Sequence, residues 1–132
     1  SRGFDVRGRL VSAAGTVVRA DFRISGRAAT ASDESPVVAW NETANEYLVV
    51  WMDGRDDAHR ADRGCDIYGR RVSAAGAAAG AEFRISGPGA TTDDVLPAMA
   101  WDRAANRYLV VWSEARDFLT SNWDIFGRHV AG

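Results

Sequence analysis

Lysine is absent from this chain: all 16 basic residues are arginine. Base-composition bias in the coding sequence accounts for that, and so does a preference for planar, bidentate carboxylate recognition, and the two are compatible. Cys65 is the only cysteine, which excludes an intrachain disulfide and leaves no cysteine spacing for a metal. Only two histidines occur, His59 and His129, and neither stands in a catalytic or metal-binding motif. His129 reads as a surface residue, and His59 lies among Asp56, Asp57 and Asp62. Apolar runs fall far short of the ~18 residues a membrane helix requires, so membrane insertion is not expected. The opening Ser1-Arg2-Gly3 does not start a signal peptide, which says nothing about export. Glycine-rich phosphate loops, zinc spacings and the EF-hand pattern are missing. A net charge of −2 and a pI near 5.6 argue against a nucleic-acid footprint, for which a basic face is expected.

What is present is a repeat. Tyr47-Leu48-Val49-Val50-Trp51 returns unchanged 61 positions later as Tyr108-Leu109-Val110-Val111-Trp112. Phe22-Arg23-Ile24-Ser25-Gly26 returns at the same interval as Phe83-Arg84-Ile85-Ser86-Gly87. A third element occurs three times, as Asp5-Val6-Arg7-Gly8-Arg9, Asp66-Ile67-Tyr68-Gly69-Arg70 and Asp124-Ile125-Phe126-Gly127-Arg128. Its second interval is 58, the shortfall falling in the loop after Trp112, where length changes are tolerated. The 132 residues, 46% hydrophobic and 26% charged, suit one globular domain. Repeat units run over about 5–65 and 66–123, with an extra terminal strand at 124–130.

The repeated segments read as strands. In Tyr47-Leu48-Val49-Val50-Trp51, Tyr47, Val49 and Trp51 point one way and Leu48 and Val50 the other, so both faces are apolar and both require cover. Phe22 and Ile24 alternate with Arg23 and Ser25, the pattern of an outer strand with one wet face. Pro36 and Pro97 are expected to open the strands that follow the polar stretches 27–35 and 88–94. Asn45 and Asn106 suit the left-handed residue of a tight hairpin. Helical spacing is absent. The one alanine-rich stretch, 74–81, reads as a loop because of its glycines. The expected fold is all-β: four-stranded antiparallel meander blades, about two per chain, propeller-like, and completed by oligomerisation or by a longer array.

The series W-x-D/E-x-R, D-I-Y-G-R-R-V-S, F-R-I-S and P-x-x-A-W resembles repeats of bacterial, often secreted or surface-exposed, β-propeller-like proteins. The resemblance covers nearly the whole chain. It implies a propeller-like fold and a secreted or cell-surface location, but no particular activity, because propellers host many functions. A closed propeller needs four to eight blades, so a symmetric homo-oligomer is expected.

Long polar links between the second and third strand of each unit, and between the fourth and the next first, share one end of such a blade. That end gathers carboxylates, and the candidate ligand-binding set is Asp53, Arg55, Asp56, Asp57, Asp93, Asp94, Glu114, Arg116, Asp117 and Trp123. Hard oxygens suit calcium, and a carboxylate-rich rim beside Trp123 or Trp40 suits a glycan. Recurrence of Asp53/Glu114 and Arg55/Arg116 also fits a purely structural Arg–carboxylate clamp. Arg9, Arg70 and Arg128 are expected to meet carboxylates where they are buried. Four of the five tryptophans occupy repeated strand ends and read as core, whereas Trp123 breaks the repeat. No catalytic residue stands out. The expected role is non-enzymatic: a self-assembling module offering a polar loop face to a glycan or calcium. The alternatives are a structural module of a larger bacterial surface protein, or a glycosidase with two acids on the same rim.

Overall fold

The computed structural model describes residues 3–26, 32–55, 64–87, 93–117 and 122–132, with the backbone alone at 116–117. Among the described residues nine strands follow one another: β1 (Arg7–Gly8), β2 (Phe22–Arg23), β3 (Asp33–Asn41), β4 (Glu46–Asp53), β5 (Asp66–Ser73), β6 (Ala78–Arg84), β7 (Asp93–Asp102), β8 (Arg107–Asp117) and β9 (Asn122–Ala131). Among the described residues there is no helix. The strands form three antiparallel sheets, β1-β2, β3-β4-β5-β6 and β7-β8-β9, each ordered as in the sequence. Each 61-residue repeat therefore straddles two sheets.

Local chemistry explains the corners. Asn45 and Asn106 turn the β3–β4 and β7–β8 hairpins with φ of 54° and 48°, the left-handed conformation asparagine tolerates best after glycine. Asn41 supports the first turn by accepting the amides of Thr43 and Ala44 on its side-chain oxygen, both at 2.9 Å. Two expectations need correction. The prolines do not open their strands: β3 begins at Asp33 and β7 at Asp93. Register shifts lie between Glu34 and Val37 and between Val95 and Ala98, with Ser35 and Leu96 at φ of 52° and 54°. The bulge takes Pro36 and Pro97 out of the ladder, so their missing N–H goes unfelt. The alanine-rich stretch is likewise not all loop, since β6 starts at Ala78. The free edge of β5 pairs Ala78 and Ala79 with Val72 and Arg71, and tertiary pairing overrides weak strand propensity.

Two apolar clusters join the sheets. Val6, just before β1, and Ile24, just after β2, meet Val49, Trp51 and Val72 of the second sheet. On the opposite face of the second sheet, Leu48, Val50, Ile67 and Ile85 meet Tyr108, Val110 and Trp112 of the third. β4 is thus buried on both faces, with Leu48, Val50 and Trp51 fully excluded from solvent, as its unbroken apolar run demands. The two junctions are copies of each other, because Val6/Ile67, Ile24/Ile85, Val49/Val110 and Trp51/Trp112 each stand 61 positions apart. Backbone links repeat too: the Asp33 amide donates to Phe4 O at 2.9 Å and the Asp94 amide to Cys65 O at 2.8 Å. Arg70 is partnered, but by the carbonyls of Gly80 and Ile24, both at 3.0 Å, rather than the expected carboxylate. Arg9 lies at the surface near Asp21 and Arg128 is exposed.

Candidate functional site

A row of carboxylates crosses the end of each larger sheet. Strand register places Asp33 opposite Asp53 and Asp53 opposite Asp66 in the second sheet. In the third it places Asp94 opposite Glu114 and Glu114 opposite Asp124. These residues were expected on loops, yet Asp53, Asp93, Asp94 and Glu114 all lie within strands. The strands run further toward this end than the polarity of their sequence suggests, and Asp53 and Asp66 meet arginines that offset the cost of leaving water.

The partners are specific. Asp53 is 1% exposed and receives Arg55 on both oxygens, with Nε at 2.8 Å from Oδ1. Trp51 Nε1 donates to the same carboxylate at 3.1 Å. The Arg55 guanidinium lies 3.9 Å from the centroid of the Tyr68 ring and 3.0 Å from Glu82 Oε1. Asp66 is buried and paired with Arg84, as Asp5 is paired with Arg23 one repeat earlier. Asp93 Oδ1 accepts the Cys65 amide at 3.0 Å and packs directly over Gly64, where a Cβ would stand 1.4 Å from it. Ser25 and Ser86 accept the amides of Val6 and Ile67 on their hydroxyls, each at 3.0 Å.

Electrostatics separates the acids. Burial pushes the Asp33 carboxyl up to about 6, against a hydrogen bond from Ser25, with the Asp53 charge adding to the rise. Burial would raise Asp53 as well, but its bonds to Arg55 outweigh that and hold it below the ordinary carboxylate range. Asp94 repeats Asp33: burial raises it, and the Glu114 charge adds to the effect. Asp94 Oδ1 has no hydrogen-bond partner among the described residues. Two acids with pKa values driven apart are what acid–base catalysis uses. Here, however, Asp33 is only 7% exposed and Asp53 1%, and neither lines the groove of about 440 Å³ beside β1.

Of the ten candidate residues, Asp53 and Arg55 come together as the clamp, and Asp94 and Glu114 stand side by side. Asp93 ties the third sheet to the link before β5. Arg116 and Asp117 continue β8, and Asp56 and Asp57 lie outside the described residues. Trp123 is half-exposed on β9 opposite Ala115, the same residue that pairs Asp93 on the other side. Asp33, Asp66, Glu82 and Arg84 complete the polar end and were not in the candidate set. Their signal was the repeat itself, since Asp33/Asp94, Ser25/Ser86 and Asp66/Asp124 recur at the same two intervals.

The described acids do not fit calcium. Asp53 has both oxygens engaged, Asp66 is held by Arg84, and among the described residues no three of His, Cys, Asp and Glu are grouped to hold an ion. Comparison with protein-family models, curated proteins and solved structures found no match. The established description is therefore the class that the fold itself defines: a small all-β domain of three antiparallel sheets.

Proposed function

We propose that this chain is a non-enzymatic, β-propeller-like repeat module whose sheets act as blades and which works by assembling with itself. The observation that carries the reading is the repeat used as its own control. Leu48 and Ile67 are fully buried, while their counterparts Leu109 and Ile125 are 40% and 72% exposed. A segment that is greasy on both sides is satisfied in the second sheet and left bare in the third. Contiguous apolar surface of this kind marks an association face. Light scattering of the purified chain at micromolar concentration should return a multiple of the 14.3 kDa chain mass. A lone 14.3 kDa species would refute the proposal.

The carboxylate-rich end is the face left for a ligand such as a glycan, the described acids themselves offering no place for calcium. The resemblance to secreted and surface-exposed bacterial repeats supports an extracellular role. The occupied oxygens of Asp53 and Asp66 favour a second reading, in which the polar rows only lock each sheet's end and the chain is a structural module. Glycan-array and calcium titrations on the assembled protein separate the two: a saturable signal supports ligand binding, and silence supports the structural module.

A further inference from the structure

We propose that copies of this chain join head to tail by strand exchange, β9 of one copy taking the place of β1 in the next. This rests on the self-assembly reading above and adds which surfaces meet and which strand yields. The occupant is a second copy because the chain already displays the junction internally. At that junction Val37, Ala39, Leu48 and Val50 of β3 and β4 pack against Met99, Trp101, Tyr108 and Val110 of β7 and β8. Moving each set by one repeat yields two surfaces, one bare in this molecule and the other exposed along β3 but covered at Val49 by Val6 and Ile24. The first is Ala98, Ala100, Leu109 and Val111 on the bare face of the third sheet. The second is Val38, Trp40, Tyr47 and Val49, with Val38 63% and Trp40 38% exposed. The groove of about 440 Å³ beside β1 lies over this second surface and is lined by Val38, Tyr47 and Val49. A β7–β8 hairpin from another copy, laid there as the chain's own hairpin is laid on β3–β4, covers both.

That placement brings β9 onto β1, and the sequence makes the two interchangeable. Phe4, Cys65 and Trp123 occupy one repeat position, and the five residues after each form the thrice-repeated element. β5 shows what the position requires. It pairs β4 on one edge and β6 on the other, its Ile67 amide meets Ser86 Oγ, its Asp66 holds Arg84, and Cys65 O accepts the Asp94 amide. In the exchanged state Ile125 meets Ser25, Asp124 holds Arg23, and Trp123 O accepts the Asp33 amide of the next copy. Among the described residues β9 pairs only with β8, so its other edge is open to β2. Gly127 suits this state, because the tightest neighbour a Cβ would meet at Gly8 and at Gly69 is the isoleucine of the following strand, at 2.9 Å, and Gly127 has none. β1 is the strand that yields: it holds two ladder pairs, whereas β9 holds ten. Each junction then completes a sheet ordered β7-β8-β9-β2.

The test locks β1 reversibly. Arg7 and Arg23 are register partners, and the adjacent Val6/Ile24 pair carries the backbone bond at 2.9 Å. Arg7/Arg23 is therefore a non-hydrogen-bonded pair with Cα atoms about 4.5 Å apart, within the span of a disulfide. The double variant Arg7→Cys/Arg23→Cys, with Cys65→Ser to leave two thiols, is sized oxidised and reduced. The expected result is a single-chain mass when oxidised and the wild-type assembly when reduced. Equal assembly in both states overturns strand exchange and leaves self-assembly standing, whereas a wild type that never exceeds one chain overturns self-assembly itself. A second measurement covers a double variant that stays single in both states. Chains carrying Cys65→Ser with Arg23→Cys are mixed with chains carrying Cys65→Ser with Phe126→Cys, the pair matching Tyr68↔Arg84 in the second sheet. A covalent two-chain species supports exchange, and its absence overturns it.

Discussion

Replacing Ile67 and Ile125 by alanine, one at a time, asks whether burial is set by the residue or by its neighbours. Both are the second residue of the same repeated element. Ile67 is fully buried in the cluster with Leu48, Val50, Ile85, Tyr108, Val110 and Trp112, whereas Ile125 is 72% exposed. Truncating Ile67 forfeits three buried carbons at ~0.8 kcal/mol each, about 2.4 kcal/mol. The cavity left beside the rigid Trp112 and Tyr108 rings raises the cost to about 3–4 kcal/mol, inside the usual range for this change. For a chain of this length that lowers Tm by roughly 10–15 °C. Truncating Ile125 in the single chain removes surface already in water, so the expected change is within about 0.5 kcal/mol. Urea unfolding at a concentration where the mass is one chain measures both. Equal losses would refute the packing described here. At concentrations that favour assembly, Ile125→Ala is expected to weaken the assembly while leaving the dilute chain alone.

Three further outcomes follow from the polar rows and the hairpins. Asp33 has its folded pKa raised to about 6, so the folded state holds a proton the unfolded state has already lost, and stability falls as pH rises from about 4 to 6. Two pKa units set a ceiling of about 2.7 kcal/mol, which solvent screening reduces to about 1–2 kcal/mol. Wild type minus Asp33→Asn should show that slope in denaturation at pH 4 through 7, and parallel profiles would contradict the burial argument. Arg55→Gln leaves the buried Asp53 carboxylate without its cation and should cost about 2 kcal/mol at neutral pH. Because Asp53 is held below its ordinary pKa, that loss should shrink as pH falls and the acid protonates; a loss constant with pH would count against the clamp. Asn45→Gly should leave thermal stability nearly unchanged, whereas Asn45→Val, forced to φ of 54°, should cost about 1–2 kcal/mol; equal melting temperatures would contradict the turn assignment.

Much of the fold was legible in the residues. Alternation in Tyr47-Leu48-Val49-Val50-Trp51 assigned its two faces, and both are covered as that reading required. Asn45 and Asn106 announced their hairpins. The outer strand Phe22-Arg23 and its copy at Phe83-Arg84 do lie at sheet edges. Other features were hidden for physical reasons. Pro36 reads as a strand opener because a proline's missing N–H matters only inside a ladder, and sequence does not reveal the bulge that removes it. Asp53 and Asp94 read as loop acids because charge is normally solvated, and the Arg55 clamp that permits the burial of Asp53 exists only once β4 and its neighbours are in place. Trp123 read as a residue of the polar end, and β9 places it there, half-exposed and opposite Ala115.

Sequence alone determined the order of the repeated strands and the sides they present, because a period of two and a repeat interval of 61 residues are local properties of the chain. Tertiary structure alone decided which copy of each strand is covered. Ile67 and Ile125, or Leu48 and Leu109, are the same residues in nearly the same words, and no local rule tells them apart. Burial belongs to the neighbour that excludes the water: the second sheet has one on each side, and the third has one on a single side.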